Sequence, residues 1–156
     1  MIKYADKMIC FQEIPNEISL SFSITNCPNN CPGCHSPYLK EDKGIPLLSV
    51  LEIELNANKN FITCVLFLGG DDIKQMDDLI KCLKTCKRLG LKTALYSGFD
   101  EINQKLLPFL DYYKVGSYKE EFGGLKSTKT NQRLYKIENN NLKDITYLFW
   151  RNYYGD

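Results

Sequence analysis

Three of the chain's seven cysteines, Cys27, Cys31 and Cys34, stand at C-x3-C-x2-C spacing inside Asn26-Cys27-Pro28-Asn29-Asn30-Cys31-Pro32-Gly33-Cys34-His35. Thiolates are soft ligands that suit zinc, copper(I) and iron–sulfur clusters. Two prolines and a glycine make the segment a loop rather than a helix. Three thiolates on one loop fill three corners of a cubane cluster and leave its fourth iron open to a small ligand. A cluster that only stores and transfers electrons ordinarily has a fourth cysteine. Of the remaining cysteines, Cys64 falls in an apolar run and Cys82 and Cys86 lie one helical turn apart. These three and Cys10 read as small packed hydrophobes.

Other chemistries fit parts of the same loop. Cys31-Pro32-Gly33-Cys34-His35 matches the C-x-x-C-H pattern of covalent haem attachment, and Cys31 with Cys34 matches a dithiol redox pair. Both leave Cys27 idle, and haem attachment also lacks an export signal here. A structural zinc site of Cys27, Cys31, Cys34 and His35 supplies the four ligands that zinc wants. It makes an awkward neighbouring pair of Cys34 and His35, and it leaves the glycine motif downstream without a role.

The elements that must position this loop alternate between strand and helix. Ile18, Leu20, Phe22 and Ile24 alternate with Ser19, Ser21, Ser23 and Thr25, which predicts a strand that runs straight into the cysteine loop. A weak helical signal covers Ser49 to Lys59. Phe61 to Leu68 is almost wholly apolar and predicts a strand buried on both faces, ending at Gly69-Gly70. Asp71-Asp72 is the expected N-cap pair of a helix bearing Ile73, Met76, Leu79, Ile80, Leu83 and Cys86 on its apolar face and ending at Gly90. Leu91 to Ser97 predicts a strand, Ile102 to Leu107 a short helix stopped near Pro108, and Asp111 to Tyr118 a further strand. Arg133 to Ile137 and Ile145 to Trp150 are expected to flank a hairpin turn at Asn139-Asn140-Asn141. Such alternation favours a parallel α/β sheet with right-handed crossovers. Sites in such sheets lie beyond the carboxyl ends of the strands. The cysteine loop, Gly69-Gly70-Asp71 and Ser97-Gly98 should therefore meet at one end.

With 156 residues, the chain reads as a single domain, 1–156, too short for a complete eight-fold barrel of about 250 residues. Twenty basic against nineteen acidic residues leave a formal charge of +1, which gives no electrostatic footprint for nucleic acid or a membrane surface. No apolar stretch is long enough to span a membrane, and the charged N-terminus does not read as a signal peptide. The expected location is cytoplasmic, with reduced cysteines.

On its own, Gly69-Gly70-Asp71 reads equally as a strand-to-helix turn and as a place where backbone approaches a ligand, its carbonyls accepting hydrogen bonds from an ammonium. Beside the cysteine loop, the second reading gains weight. Together the two motifs resemble the radical S-adenosylmethionine (SAM) superfamily. Phe67-Leu68-Gly69-Gly70-Asp71, Tyr96-Ser97-Gly98, Thr130-Asn131-Gln132-Arg133 and the Cys-Pro-Gly-Cys-His loop resemble, within it, the activating proteins of anaerobic (class III) ribonucleoside-triphosphate reductase. The resemblance runs from about Phe11 to Trp150. The expected fold is α/β: a truncated (β/α) partial barrel of mostly parallel strands, or an open α/β sheet, with a small C-terminal β appendage.

The resemblance further implies an oxidoreductase with a [4Fe-4S] cluster ligated by Cys27, Cys31 and Cys34. SAM would chelate the open iron and be cleaved to a 5′-deoxyadenosyl radical, which makes a glycyl radical on the partner. Gly33, Cys34, His35, Gly69, Gly70, Asp71, Ser97 and Lys114 are the candidate SAM-binding positions; Ser97 reads either as a partner of the ribose or carboxylate or as part of an ordinary Ser-Gly turn, and Lys114 either as neutralising the carboxylate or as a solvated lysine. The superfamily's aromatic residue before the third cysteine is Gly33 here, which leaves the adenine contact to backbone and His35. The implied partners are the large catalytic subunit of the reductase and an electron donor such as a flavodoxin. The alternatives are an activase of another glycyl-radical enzyme, such as pyruvate formate-lyase, and a non-enzymatic Cys3His zinc module.

Overall fold

A computed structural model describes residues 1–26 and 43–151. Along the chain run β1 (Lys3–Cys10), β2 (Ser19–Ile24), β3 (Ile45–Pro46), α1 (Leu47–Asn58), β4 (Cys64–Leu68), α2 (Met76–Arg88) and β5 (Lys92–Tyr96). A 3₁₀ helix (Gln104–Phe109), β6 (Tyr112–Val115), β7 (Arg133–Glu138), β8 (Asn141–Asp144) and α3 (Leu148–Arg151) follow. All eight strands join one sheet in the order β3-β1-β2-β4-β5-β6-β7-β8. The four central strands pair in parallel, with Ser19 opposite Cys64, Cys64 opposite Lys92 and Ala94 opposite Tyr112. The flanking pairings are all antiparallel.

The fold is thus mixed α/β with a parallel centre. Among the described residues nothing pairs β3 with β8, so the sheet is open. The expected C-terminal β appendage is present as a hairpin, β7–β8, hydrogen-bonded to β6 as part of the same sheet.

The alternation of side chains across the sheet explains the long apolar run before Gly69. Val65 and Phe67 face one core, with Phe22, Ile24, Leu95 and Tyr113 beside them and the apolar faces of α1 and α2 packed on top. Cys64 and Leu66 face the other, with Ala94, Tyr112, Leu134, Ile14, Ile145 and Phe149. A strand buried on both faces needs apolar residues at every position. α2 ends as its sequence predicts. The N–H of Leu91 donates to the Cys86 carbonyl and that of Gly90 to the Lys87 carbonyl, both at 3.0 Å, a Schellman closure.

Three local expectations change. Asp71 and Asp72 do not cap α2. The chain first makes a turn in which the Gln75 N–H donates to the Asp72 carbonyl, and α2 starts at Met76 with no side-chain cap. Asp77 and Asp78 in its first turn complement the helix dipole instead, and Ile73 is left exposed. The second strand of the hairpin is Asn141–Asp144 rather than Ile145–Trp150. Asn139 and Asn140 both adopt positive φ, 52° and 64°, which closes a two-residue turn and pairs Glu138 with Asn141. The apolar segment beyond then folds under the sheet, burying Ile145 and Phe149. The short helix around Leu107 is a 3₁₀ helix that runs through Pro108 instead of stopping before it. β1 was not foreseen: its exposed middle is charged, and its pairing with β2 shifts register between Tyr4 and Asp6. No helix among the described residues is long and apolar enough to cross a membrane.

Candidate functional site

The parallel direction of β2, β4, β5 and β6 brings four carboxyl ends to one edge of the sheet. β2 delivers the chain through Thr25 and Asn26 into the cysteine loop. Cys27, Cys31, Gly33, Cys34 and His35 themselves lie outside the described residues. The end of β2 lies beside the Gly69-Gly70-Asp71 turn after β4, since Ser23 is paired with Leu68. The Gln75 Nε2 ties the two together, donating to the Thr25 carbonyl at 3.3 Å and to the Asp72 carboxylate at 2.6 Å.

Gly69 and Gly70 have φ of +100° and +97°, conformations that side chains disfavour. A Cβ built on Gly70 would meet Ile2 Cδ1 at 3.1 Å and the Ile24 side chain at 3.4 Å. The turn is therefore required by backbone conformation and by close packing on the core, with the peptide groups themselves left at the strand end. The Gly69 N–H donates to the Tyr96 carbonyl at 3.0 Å, which fixes this turn to the end of β5.

Asp71 and Ser97 form the centre of the site. Both are buried, and the Ser97 hydroxyl donates to the Asp71 carboxylate at 2.6 Å. The same hydroxyl accepts from the Phe99 N–H at 3.0 Å. Burial pushes the Asp71 carboxyl above its ordinary value, and the Ser97 hydrogen bond only partly offsets this. From β6, the buried ammonium of Lys114 donates to the Ser97 carbonyl at 2.9 Å and to the Gly116 carbonyl at 3.2 Å, and sits 5.5 Å from the centre of the Tyr96 ring. Gly69, Gly70, Asp71, Ser97 and Lys114 are thus neighbours on three successive strand ends. A cavity of about 570 Å³ opens beside them, reached by Asp71 and Tyr113 and otherwise lined by residues 99–104. That volume lies within the range of small-molecule sites.

The other four cysteines are placed away from this edge or turned into the core. Cys10 pairs with Ser19 and Cys64 lies opposite Ser19, so both sit at the amino end of β2. Cys82 and Cys86 are buried on α2 against the helix-side core. Burial pushes the Cys64 and Cys82 thiols up to about 12 and that of Cys86 higher still, so all three are held as neutral thiols. Among the described residues, no group of three or more histidine, cysteine or carboxylate side chains forms a metal site. The remaining cysteines, Cys27, Cys31 and Cys34, lie outside the described residues, and their C-x3-C-x2-C spacing offers three soft thiolates. These residues fit an iron–sulfur cluster.

Gln132 and Glu17 are among the buried polar groups to which the sequence reading gave no role. Gln132, in the Thr130-Asn131-Gln132-Arg133 segment, donates its amide to the Gly116 carbonyl at 3.2 Å. Glu17, at the opposite end of the sheet, accepts from Tyr112 at 2.6 Å, Thr63 at 2.7 Å and Lys92 at 2.9 Å. The four-residue segment was legible as a motif but offered no role. Glu17 follows a turn and looks like any solvated acid until β5 and β6 are laid beside it.

A profile of the family described as a 4Fe-4S single cluster domain matches residues 18–141, from the start of β2 into β8. No curated protein and no solved structure matches the chain.

Proposed function

The chain belongs to the 4Fe-4S single cluster domain family, and from that premise we propose that it is a SAM-dependent activase, one that generates a glycyl radical on an anaerobic ribonucleoside-triphosphate reductase. The observation that carries this reading is the separation of the cysteines. Four are buried in the core or lie at the amino end of β2, which leaves Cys27, Cys31 and Cys34, whose segment of sequence follows the carboxyl end of β2. A cluster held by three thiolates keeps an iron for a substrate, whereas an electron carrier closes the fourth corner.

In this reading Cys27, Cys31 and Cys34 hold the cluster, with Gly33, Cys34 and His35 against SAM. Bound together, cluster and SAM supply one-electron cleavage of the SAM carbon–sulfur bond, giving methionine and a radical that takes a hydrogen atom from the partner's glycine, with the electron drawn from a donor such as a flavodoxin. The protein supplies position and exclusion of side reactions. Carbonyls of the Gly69-Gly70 turn accept from the SAM ammonium, and the Asp71 carboxylate adds charge of the right sign. The Lys114 ammonium balances the SAM carboxylate, and Ser97 orients Asp71 through its 2.6 Å hydrogen bond. The open sheet edge fits a protein substrate that brings its glycine loop to the strand ends.

The test is anaerobic reconstitution with iron and sulfide, reduction in the presence of SAM, and measurement of 5′-deoxyadenosine. Wild-type protein should bind about four irons and release the nucleoside. Cys27→Ala, Cys31→Ala and Cys34→Ala should each abolish release, while Cys82→Ala retains it with about 1 kcal/mol of lost stability or more. Zinc in place of iron, with no deoxyadenosine, overturns the reading in favour of a zinc module. A glycyl radical raised on pyruvate formate-lyase but not on the reductase reassigns the partner.

A further inference from the structure

We propose that Gln132 is a positioning residue of the strand-end site, and that it sets the Lys114 ammonium by sharing the Gly116 carbonyl with it. The inference rests on the reading of Lys114 as a SAM-binding residue and extends it to a segment to which that reading gives no role. Gln132 and Lys114 are both buried: Lys114 lies on β6 opposite Leu134, and Gln132 is the residue just before β7. Gln132 Nε2 and Lys114 Nζ each reach the Gly116 oxygen at 3.2 Å. A carbonyl oxygen has two lone pairs, so the two donors fix its direction jointly.

The Gly116 peptide is also held by its other neighbours. The Gly116 N–H donates to the Phe99 carbonyl at 2.7 Å, and Gly116 has φ of +112°, with Gln132 Cα only 2.9 Å from where a Cβ would stand. Next along the chain, the Ser117 carbonyl accepts from Asn131 Nδ2 at 3.0 Å, and the Ser117 N–H and hydroxyl donate to Asp100. Thr130 completes the segment: its hydroxyl donates to the Gly123 carbonyl at 3.1 Å and accepts from the Gln132 N–H at 3.0 Å. Thr130, Asn131 and Gln132 thereby stitch the 116–123 turn to the start of β7. Of the three, Gln132 alone shares an acceptor with the ammonium. Removing its amide takes one of two side-chain donors from the Gly116 oxygen, so that carbonyl aims the ammonium less firmly.

The experiment is a double-mutant cycle read by calorimetric titration of SAM into cluster-reconstituted, full-length protein. Gln132→Leu and the isosteric Gln132→Glu, which cannot donate when ionised, should each weaken SAM binding about tenfold. Added to Lys114→Met, Gln132→Leu should produce no further loss, because the two act as one unit. Acetic anhydride labelling, read by mass spectrometry without SAM, should modify Lys114 severalfold faster in both Gln132 variants and leave Lys92 unchanged. Melting curves identify any variant that has lost its fold, and the isosteric one retains the packing. Losses that multiply in the cycle, or unchanged affinity and Lys114 labelling in Gln132→Glu, overturn the proposal while leaving the activase reading intact. Absence of SAM binding by the wild type overturns the activase reading, and the labelling result alone then decides whether Gln132 aims the ammonium.

Discussion

At the scale of single residues, Asp71 shows what the strand-end site costs. A carboxyl whose folded pKa is raised binds its proton more tightly in the fold than in the unfolded chain. Between the ordinary carboxylate range and its raised folded value, stability therefore declines as pH rises, and above that window the ionised group is a standing cost. Ser97 offsets part of this with its 2.6 Å hydrogen bond, and Lys114 a smaller part. A buried acid kept at such a cost beside a cavity is the pattern of a functional group. Asp71→Asn keeps an acceptor for Ser97 and removes the charge. It should stabilise the protein at neutral pH by about 1 kcal/mol and flatten the pH dependence above the acid range. The same variant should weaken SAM binding about tenfold if the carboxylate faces the ammonium. Urea denaturation at several pH values and SAM titration measure the two halves. A variant that is less stable at neutral pH would show that the charge is needed by the fold.

Among the elements, the four parallel strands are fastened at their amino ends by one carboxylate. Glu17 precedes β2, and its partners come from the residue before β4 and from the starts of β5 and β6. Burial alone would raise its pKa, but the hydrogen bonds from Tyr112, Thr63 and Lys92 outweigh that and hold the carboxyl below its ordinary value. A depressed folded pKa gives stability that is present above the unfolded value and is lost as pH falls through the folded one. Glu17→Gln should therefore cost about 1–2 kcal/mol at neutral pH and lose less stability than wild type on acidification, so the two curves converge below about pH 4. Denaturation midpoints across that range check it, and parallel curves would remove Glu17 from the acid response. None of this was legible in the sequence, because the clasp joins residues up to 95 positions apart. What was legible was periodic: the alternation in β2, the unbroken apolar run of β4, the spacing in α2 and its glycine stop. The misreadings fell where local chemistry is ambiguous. Two aspartates before an apolar stripe look like caps until a turn intervenes, and a charged strand such as β1 carries no period until β2 is beside it. At the strand ends, the sequence named Gly69, Gly70, Asp71, Ser97 and Lys114, but the sharing of Gly116 by Lys114 and Gln132 needs the β6–β7 pairing to be seen.

For the molecule as a whole, the two ends of the parallel strands divide the work. The carboxyl ends carry glycines at positive φ, a buried carboxyl and a cavity, and the last two are costs to folding. The amino ends carry the Glu17 clasp and the buried Cys64, which serve the fold alone. Six strand residues at about 3.3 Å each put roughly 20 Å between them. Groups so far apart, with no shared partner, should act independently. Glu17→Gln should thus lower stability without changing SAM affinity, while Asp71→Asn should raise stability and weaken SAM binding. The double variant should return to near wild-type stability, the two changes adding to within about 0.5 kcal/mol, with the affinity of Asp71→Asn alone. Denaturation and calorimetry on the four proteins decide the matter. An affinity loss in Glu17→Gln, or a double variant well off the sum, would mean that the sheet transmits strain from one end to the other, and that the clasp belongs to the site.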